Sequence, residues 1–132
     1  MKILIVEDDF TSRLLMQKLL TPYGECHLAI NGEEAVAAFT RSKIEQSPPF
    51  DLICLDIMMP GMDGQEALSK IRQIEKDLGI APGKGAKIIM TTALKDKHNV
   101  MTAFYDYCDA YMVKPIEKAK LIKHLKDFGL IE

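Results

Sequence analysis

No apolar run in these 132 residues approaches the roughly 20 needed to cross a bilayer, which excludes a membrane-spanning helix. A dominant charge is missing too. Seventeen Lys and Arg stand against 19 Asp and Glu, a net charge of -2, so nothing pulls the chain as a whole toward nucleic acid or a membrane surface. Cysteine is sparse. Cys26, Cys54 and Cys108 are odd in number and widely spaced, match no zinc pattern, and are expected to be reduced thiols of a cytoplasmic protein. A secretory signal is not expected at this start, because Glu7, Asp8 and Asp9 interrupt the first apolar stretch. With no repeats, low-complexity tracts or linkers, the expectation is one domain over 1–132 and no output domain.

What the chain does have is an apolar pattern that switches repeatedly between two periods. Residues 2–6 are a near-continuous apolar run, as in a buried parallel strand. Leu15, Met16, Leu19 and Leu20 then recur at helical spacing over 10–20, and Pro22 and Gly24 stop that helix. A short strand over 26–30 leads to Asn31-Gly32, with Asn31 as the cap of a helix lined by Ala35, Val36 and Phe39. Ser47-Pro48-Pro49 breaks the chain before a third strand over 51–55. Ala67, Leu68, Ile71 and Ile74 mark the next helix. A fourth strand over 87–91, a weaker helix over 97–105 and a fifth strand over 109–113 follow. Leu121, Ile122, Leu125 and Phe128 mark a last helix ending at Gly129. A βα unit repeated five times predicts a parallel sheet with helices on both faces.

In such a sheet, ligands bind beyond the carboxyl ends of the strands, where strand order reverses. Glu7, Asp8 and Asp56 fall at those ends, and Lys114 ends the fifth strand. Carboxylates this close repel one another and resist ionising together. A magnesium ion resolves the conflict, since it takes hard oxygen ligands. Asp56 is the candidate nucleophile, because carboxylates can form aspartyl phosphates. Lys114 supplies a compact positive charge, and the Thr92 hydroxyl can bond a phosphoryl oxygen. A lone aspartate at a strand end is more often a turn-former or a helix cap. Joint placement is what points to chemistry.

The chain resembles the response-regulator receiver domain of bacterial two-component signalling, in its stand-alone, chemotaxis-regulator-like form. The segments that carry the resemblance are Ile5-Val6-Glu7-Asp8-Asp9, Asp51 through Gly64 with Asp56 and Met58-Met59-Pro60-Gly61 at its centre, Thr91-Thr92-Ala93 and Tyr111-Met112-Val113-Lys114-Pro115. The resemblance implies an α/β fold, a five-stranded parallel sheet of order 2-1-3-4-5 with helices on both faces (flavodoxin-like). It implies Asp56 as phospho-acceptor and a Mg2+ (or Mn2+) site made by Glu7, Asp8, Asp56 and the Met58 backbone carbonyl. Thr92 takes the place of the switch hydroxyl, Tyr111 the switch aromatic and Lys114 the phosphate-binding lysine, with a cis Lys114–Pro115 bond. Asp9 is the alternative acid if the register slips by one, and Thr91 is the alternative hydroxyl.

The implied function is a phosphorylation-dependent signalling switch, cytoplasmic and self-phosphorylating and self-dephosphorylating, not a metabolic enzyme. A sensor histidine kinase or phosphotransfer protein would supply the phosphoryl group. An unidentified downstream protein would respond through the face of the fourth helix, fifth strand and last helix. Lys95, Lys97, Lys118, Lys120, Lys123 and Lys126 make that face basic, either as a merely solvated surface or as a dock for an acidic partner. Direct nucleic-acid or membrane binding is not expected. Met58 and Leu94, both unable to orient a water, would border the hydrolytic approach and prolong the phosphorylated state.

Three other readings remain at this stage. A haloacid-dehalogenase-type phosphatase needs a second aspartate two residues after the nucleophile, where this chain has Met58. A flavodoxin-like cofactor carrier needs a Gly- and hydroxyl-rich loop after the first strand, where this chain has acids. A receiver-like module that is never phosphorylated is favoured by no residue. The stretches 42–50 and 78–86 are longer than the compact pattern and should lie opposite the strand carboxyl ends.

Overall fold

The computed structural model describes residues 1–93 and 107–132. The helix expected over 97–105, and with it Leu94, Lys95 and Lys97, lies outside the described residues.

Strand β1 (Lys2–Val6) and strand β3 (Leu52–Asp56) are central and apolar on both sides. Ile3, Leu4, Leu52, Ile53 and Leu55 are wholly buried, as parallel strands covered on both faces must be. Strand β4 (Lys87–Thr92) joins them. The edges are β2 (Glu25–Ala29) and β5 (Ala110–Val113), whose outer side chains reach solvent. All pairs are parallel, in the order β2-β1-β3-β4-β5. This is the predicted order. Strand β2 begins one residue earlier than the sequence suggests, because Glu25 N–H already donates to Met1 O at 2.8 Å.

Three helices start just beyond strand ends, each on a side-chain cap. Asp9 accepts from Ser12 N–H at 2.8 Å to begin α1 (Phe10–Leu20). Asn31 accepts from Glu34 N–H at 2.8 Å to begin α2 (Gly32–Ile44), and Glu34 accepts in return from Ile30 N–H at 2.9 Å. Asp63 accepts from Glu66 N–H at 2.9 Å to begin α3 (Gly64–Asp77). Such caps satisfy amides the helix cannot and stabilise by about 1 kcal/mol each. The C-terminal helix spans Lys118–Asp127. No helix among the described residues is long and apolar enough to cross a membrane.

Strand alternation divides the core in two. Leu4, Val6, Ile53, Leu55, Ile88 and Met90 pack with Phe39 of α2 and Leu68 and Ile71 of α3. Ile3, Ile5, Leu52, Cys54 and Ile89 pack with Met16 and Leu20 of α1 and Leu121 and Leu125 of the C-terminal helix.

At the amino ends of β4 and β5 one arginine ties three segments together. Arg72 Nη1 donates to Glu75 Oε1 at 2.7 Å and to Ala86 O at 2.8 Å. Its Nε donates to Tyr107 O at 2.7 Å, and Nη2 to Asp109 Oδ2 at 3.0 Å. Both carboxylates also hold backbone at the entry to β4: Glu75 accepts from Ala86 N–H, just before the strand, and Asp109 from Ile88 N–H within it, each at 2.8 Å. The two long connections lie at this end, as expected. Lys2 Nζ, at the start of β1, donates to Pro48 O at 2.9 Å, and the 78–86 stretch leads directly into β4.

Candidate phosphoryl-acceptor site

The site is assembled from strand ends. Asp56 is the last residue of β3 and is 3% exposed. Glu7 directly follows β1, is equally buried, and donates its backbone N–H to Ala29 O at 3.0 Å. Asp8, next to it, is exposed. One carboxylate oxygen from each of Glu7, Asp8 and Asp56 lies within 4.8 Å of the other two. Arg13, one turn into α1, holds this corner by donating from Nη1 to Glu7 O at 3.0 Å.

Lys114 enters from beyond β5. Its backbone N–H donates to Thr92 O at 2.7 Å, and its bond to Pro115 is cis, as the resemblance implied. Its ammonium donates to Glu7 Oε1 and stands 3.4 Å from Asp56 Oδ1. Sequence alone suggested a lysine for phosphate; in the structure it is an ion-pair partner of two carboxylates.

The charges are not balanced. Burial, followed by the hydrogen bond to and negative charge of Glu7, pushes the Asp56 carboxyl up to about 8, against the pull of Lys114. Burial acts the same way on Glu7, but bonding to Asp56 and Lys114 outweighs it and holds Glu7 below its ordinary value. Burial would lower Lys114, yet its bond to Glu7 and the charge of Asp56 leave it raised. Asp56 therefore resists ionising beside Glu7, and a cation between the two carboxylates would relieve the conflict. Glu7 Oε2, moreover, is buried and has no hydrogen-bond partner among the described residues. A buried Glu7 oxygen, a second buried carboxylate in conflict with it and a third exposed beside them are the donors a hard divalent cation takes. The residues present fit magnesium.

The remaining candidates separate. Met58 lies in the loop after β3, its side chain exposed. Asp9 is not among the gathered acids, because its carboxylate caps α1. Asp9→Ala should therefore cost about 1 kcal/mol in urea unfolding while leaving magnesium affinity within about twofold. A large loss of affinity would return Asp9 to the metal site. Thr91 pairs in register with Asp56 and borders a cavity of about 330 Å³ together with Glu7, Lys114, Ser12 and Leu15. Thr92 ends β4, 1% exposed, in register with Val113. Tyr111, 39% exposed, sits on edge strand β5 in register with Met90.

One local constraint could have been read from the sequence and was missed. The α3 amino end runs under the site so tightly that a Cβ at Gly64 would lie 2.1 Å from Asp56 O. Glycine there lets the helix start directly beneath the acceptor strand.

A model of the response regulator receiver domain matches residues 3–126. The chain belongs to the response regulator receiver domain family. Among curated relatives, it is 30% identical over 126 residues to chemotaxis protein CheY of Treponema pallidum, covering 94% of this chain and 79% of that protein. It is 34% identical over 121 residues to sensor histidine kinase GacS of Pseudomonas protegens, covering 91% of this chain and 12% of the kinase. The chain spans between 7% and 42% of the length of the first curated relatives it matches. Among solved structures, the receiver matches response regulator protein TrrA of Thermotoga maritima in complex with Mg2+ and BeF. The TM-score is 0.76 and the identity 33%, over 96% of this chain and 97% of that one.

Proposed function

We propose that this receiver is a phosphorylation-dependent switch that accepts a phosphoryl group on Asp56. The observation that carries this is one point of the fold: a buried Asp56 within 4.8 Å of Glu7 and Asp8 oxygens and 3.4 Å from the Lys114 ammonium. An Asp56 oxygen forms the new bond to phosphorus as the donor's bond to it breaks. Glu7, Asp8, Asp56 and the Met58 carbonyl would hold Mg2+ (or Mn2+), which neutralises charge on the transferring group. Lys114 stands ready to neutralise a phosphoryl oxygen, and its bond to Glu7 keeps it beside the acceptor until then. The magnesium-bound complex of TrrA supports the same cation here.

The donor is a histidine kinase or a phosphotransfer protein, a reading supported by the kinase relatives that carry a matching segment. The added group brings about -1.5 to -2 charges and strong acceptor oxygens. Thr92 turns toward those oxygens and Tyr111 turns inward, which changes the face made by β5 and the C-terminal helix. Among the described residues, Lys118, Lys120, Lys123 and Lys126 give that face its charge, suited to an acidic downstream protein acting in the cytoplasm. The domain switches itself on and off and is not a metabolic enzyme.

The test is labelling with acetyl phosphate. One phosphoryl group, sensitive to hydroxylamine as acyl phosphates are, should be taken up with magnesium and none with a chelator. Labelling indifferent to the metal, or continuous turnover of the donor without a labelled protein, would overturn the reading.

A further inference from the structure

The loop that leaves Asp56 is held from outside by a different part of the chain. It runs over 57–63, and its near end is closed by Gly64 N–H donating to Ile57 O at 3.0 Å. Its far side meets the first turn of α2. There Glu33 Oε1 accepts a hydrogen bond from Met62 N–H at 2.8 Å. The two backbones are in close contact beside that bond, since a Cβ at Gly32 would lie 2.5 Å from Met62 O. Glu33 also reaches the preceding residue: a Cβ at Gly61, where φ is +75°, would lie 3.1 Å from the same Oε1. The turn presenting Glu33 is itself fixed by the reciprocal Asn31 and Glu34 bonds.

We infer that Glu33 is a positioning residue for the acceptor site: by pinning Met62 it sets the path of the 57–63 loop and hence the backbone beside Asp56. This rests on Asp56 being the phosphoryl acceptor. The physical argument is entropy. Ile57 and Met59 are buried and anchor the inner half of the loop. The outer half contains Gly61, and Glu33 ties it to α2 through Met62. With Met62 released, that half samples more conformations, and binding a cation must then order them. Partners of this kind, which orient ligating groups without touching the metal, strengthen binding through preorganisation. Glu33 is no ligand itself, because its acceptor oxygen is engaged with backbone.

The experiment titrates Mg2+ and Mn2+ into wild type, Glu33→Ala and Glu33→Gln, following backbone amide shifts, with hydrogen exchange measured at the Met62 amide. Glu33 is exposed and alanine is a good helix former, so the variants fold. Glu33→Ala should weaken magnesium binding on the order of three- to tenfold and speed Met62 exchange. Glu33→Gln keeps the acceptor oxygen without the charge and should stay within about twofold of wild type in affinity. Acetyl phosphate labelling should follow the same order at low magnesium and converge at saturation. If Glu33→Ala binds as wild type does, the loop needs no pin and the inference falls. If Glu33→Gln is as weak as Glu33→Ala, Glu33 acts only as a charge and the inference falls equally. A wild type that neither binds magnesium nor takes label removes the acceptor reading and this inference with it. That outcome is separable, because Met62 exchange still reports whether the pin exists.

Discussion

Asp56→Asn is expected to abolish labelling by acetyl phosphate and, at the same time, to make the metal-free protein more stable than wild type. The first effect follows from removing the only oxygen nucleophile proposed for the site. The second follows from the charges. The Asp56 carboxyl sits at about 8 when folded against an ordinary value of 3.8, so the folded state keeps a proton that the unfolded state releases. A carboxyl raised on folding opposes stability as pH rises through that interval, and the full penalty applies above about 8. Asparagine carries no such penalty. That value already includes the pull of Lys114, but Glu7, held below its ordinary value chiefly by the bond to Asp56, offsets part of the penalty, so the net gain at neutral pH is about 2 kcal/mol, or roughly 6–10 °C in Tm. The gain should be small near pH 4 and grow toward pH 8. Saturating magnesium should shrink or reverse it, since the cation stabilises wild type by binding the folded state. Thermal unfolding with and without magnesium across that range decides the matter. A variant less stable than wild type in chelator would show that Asp56 is not in conflict with Glu7.

Arg72→Leu should cost about 3 kcal/mol in urea unfolding, although Arg72 is remote from the acceptor site in the network at the amino ends of β4 and β5. The guanidinium is bonded to Glu75, Asp109, Ala86 and Tyr107. Glu75 is 5% exposed, and without Arg72 it would be left as a buried charge with the Ala86 amide as its one donor among the described residues. That unpaired charge is the larger part of the loss. Arg72→Leu/Glu75→Leu should accordingly be less destabilised than Arg72→Leu alone, because it buries no charge. A single variant within about 1 kcal/mol of wild type would mean that solvent reaches Glu75 and the network contributes little.

The strands that position the chemistry could be read because burial on both faces leaves an unmistakable mark. Ile3 to Val6 and Leu52 to Leu55 have few alternatives, and the acids that end them then fall at one edge of the sheet. Local bonds were legible for the same reason that they are local. Asn31 precedes helical spacing directly and does cap its helix. Asp9 was harder, since three acids in a row differ only in where the strand stops and the cap begins. Its bond to Ser12 N–H makes that division. The start of β2 slid by one because its pairing with β1 is set by the Met1 carbonyl, which carries no side-chain signal. Beyond the acids and the lysine that the strand ends bring together, bonds between distant residues were not legible. Nothing in the pattern around Glu33 announces Met62, and nothing around Arg72 announces Asp109. Such pairs exist only after the helices have packed.

The 78–86 connection enters β4 from the amino edge of the sheet, and all chemistry is at the carboxyl edge. Its tip, Pro82-Gly83-Lys84, is exposed, and a side chain added at Gly83 would touch nothing within 4 Å. Gly83 has φ +82, so an inserted segment suits the tip better than a substitution that would force this conformation on another residue. A fluorophore-bearing peptide or an affinity tag spliced in there would ride on the domain as a passenger. The molecule could then be tethered to a surface, or watched by polarisation, with its reactive edge open to whatever docks on it.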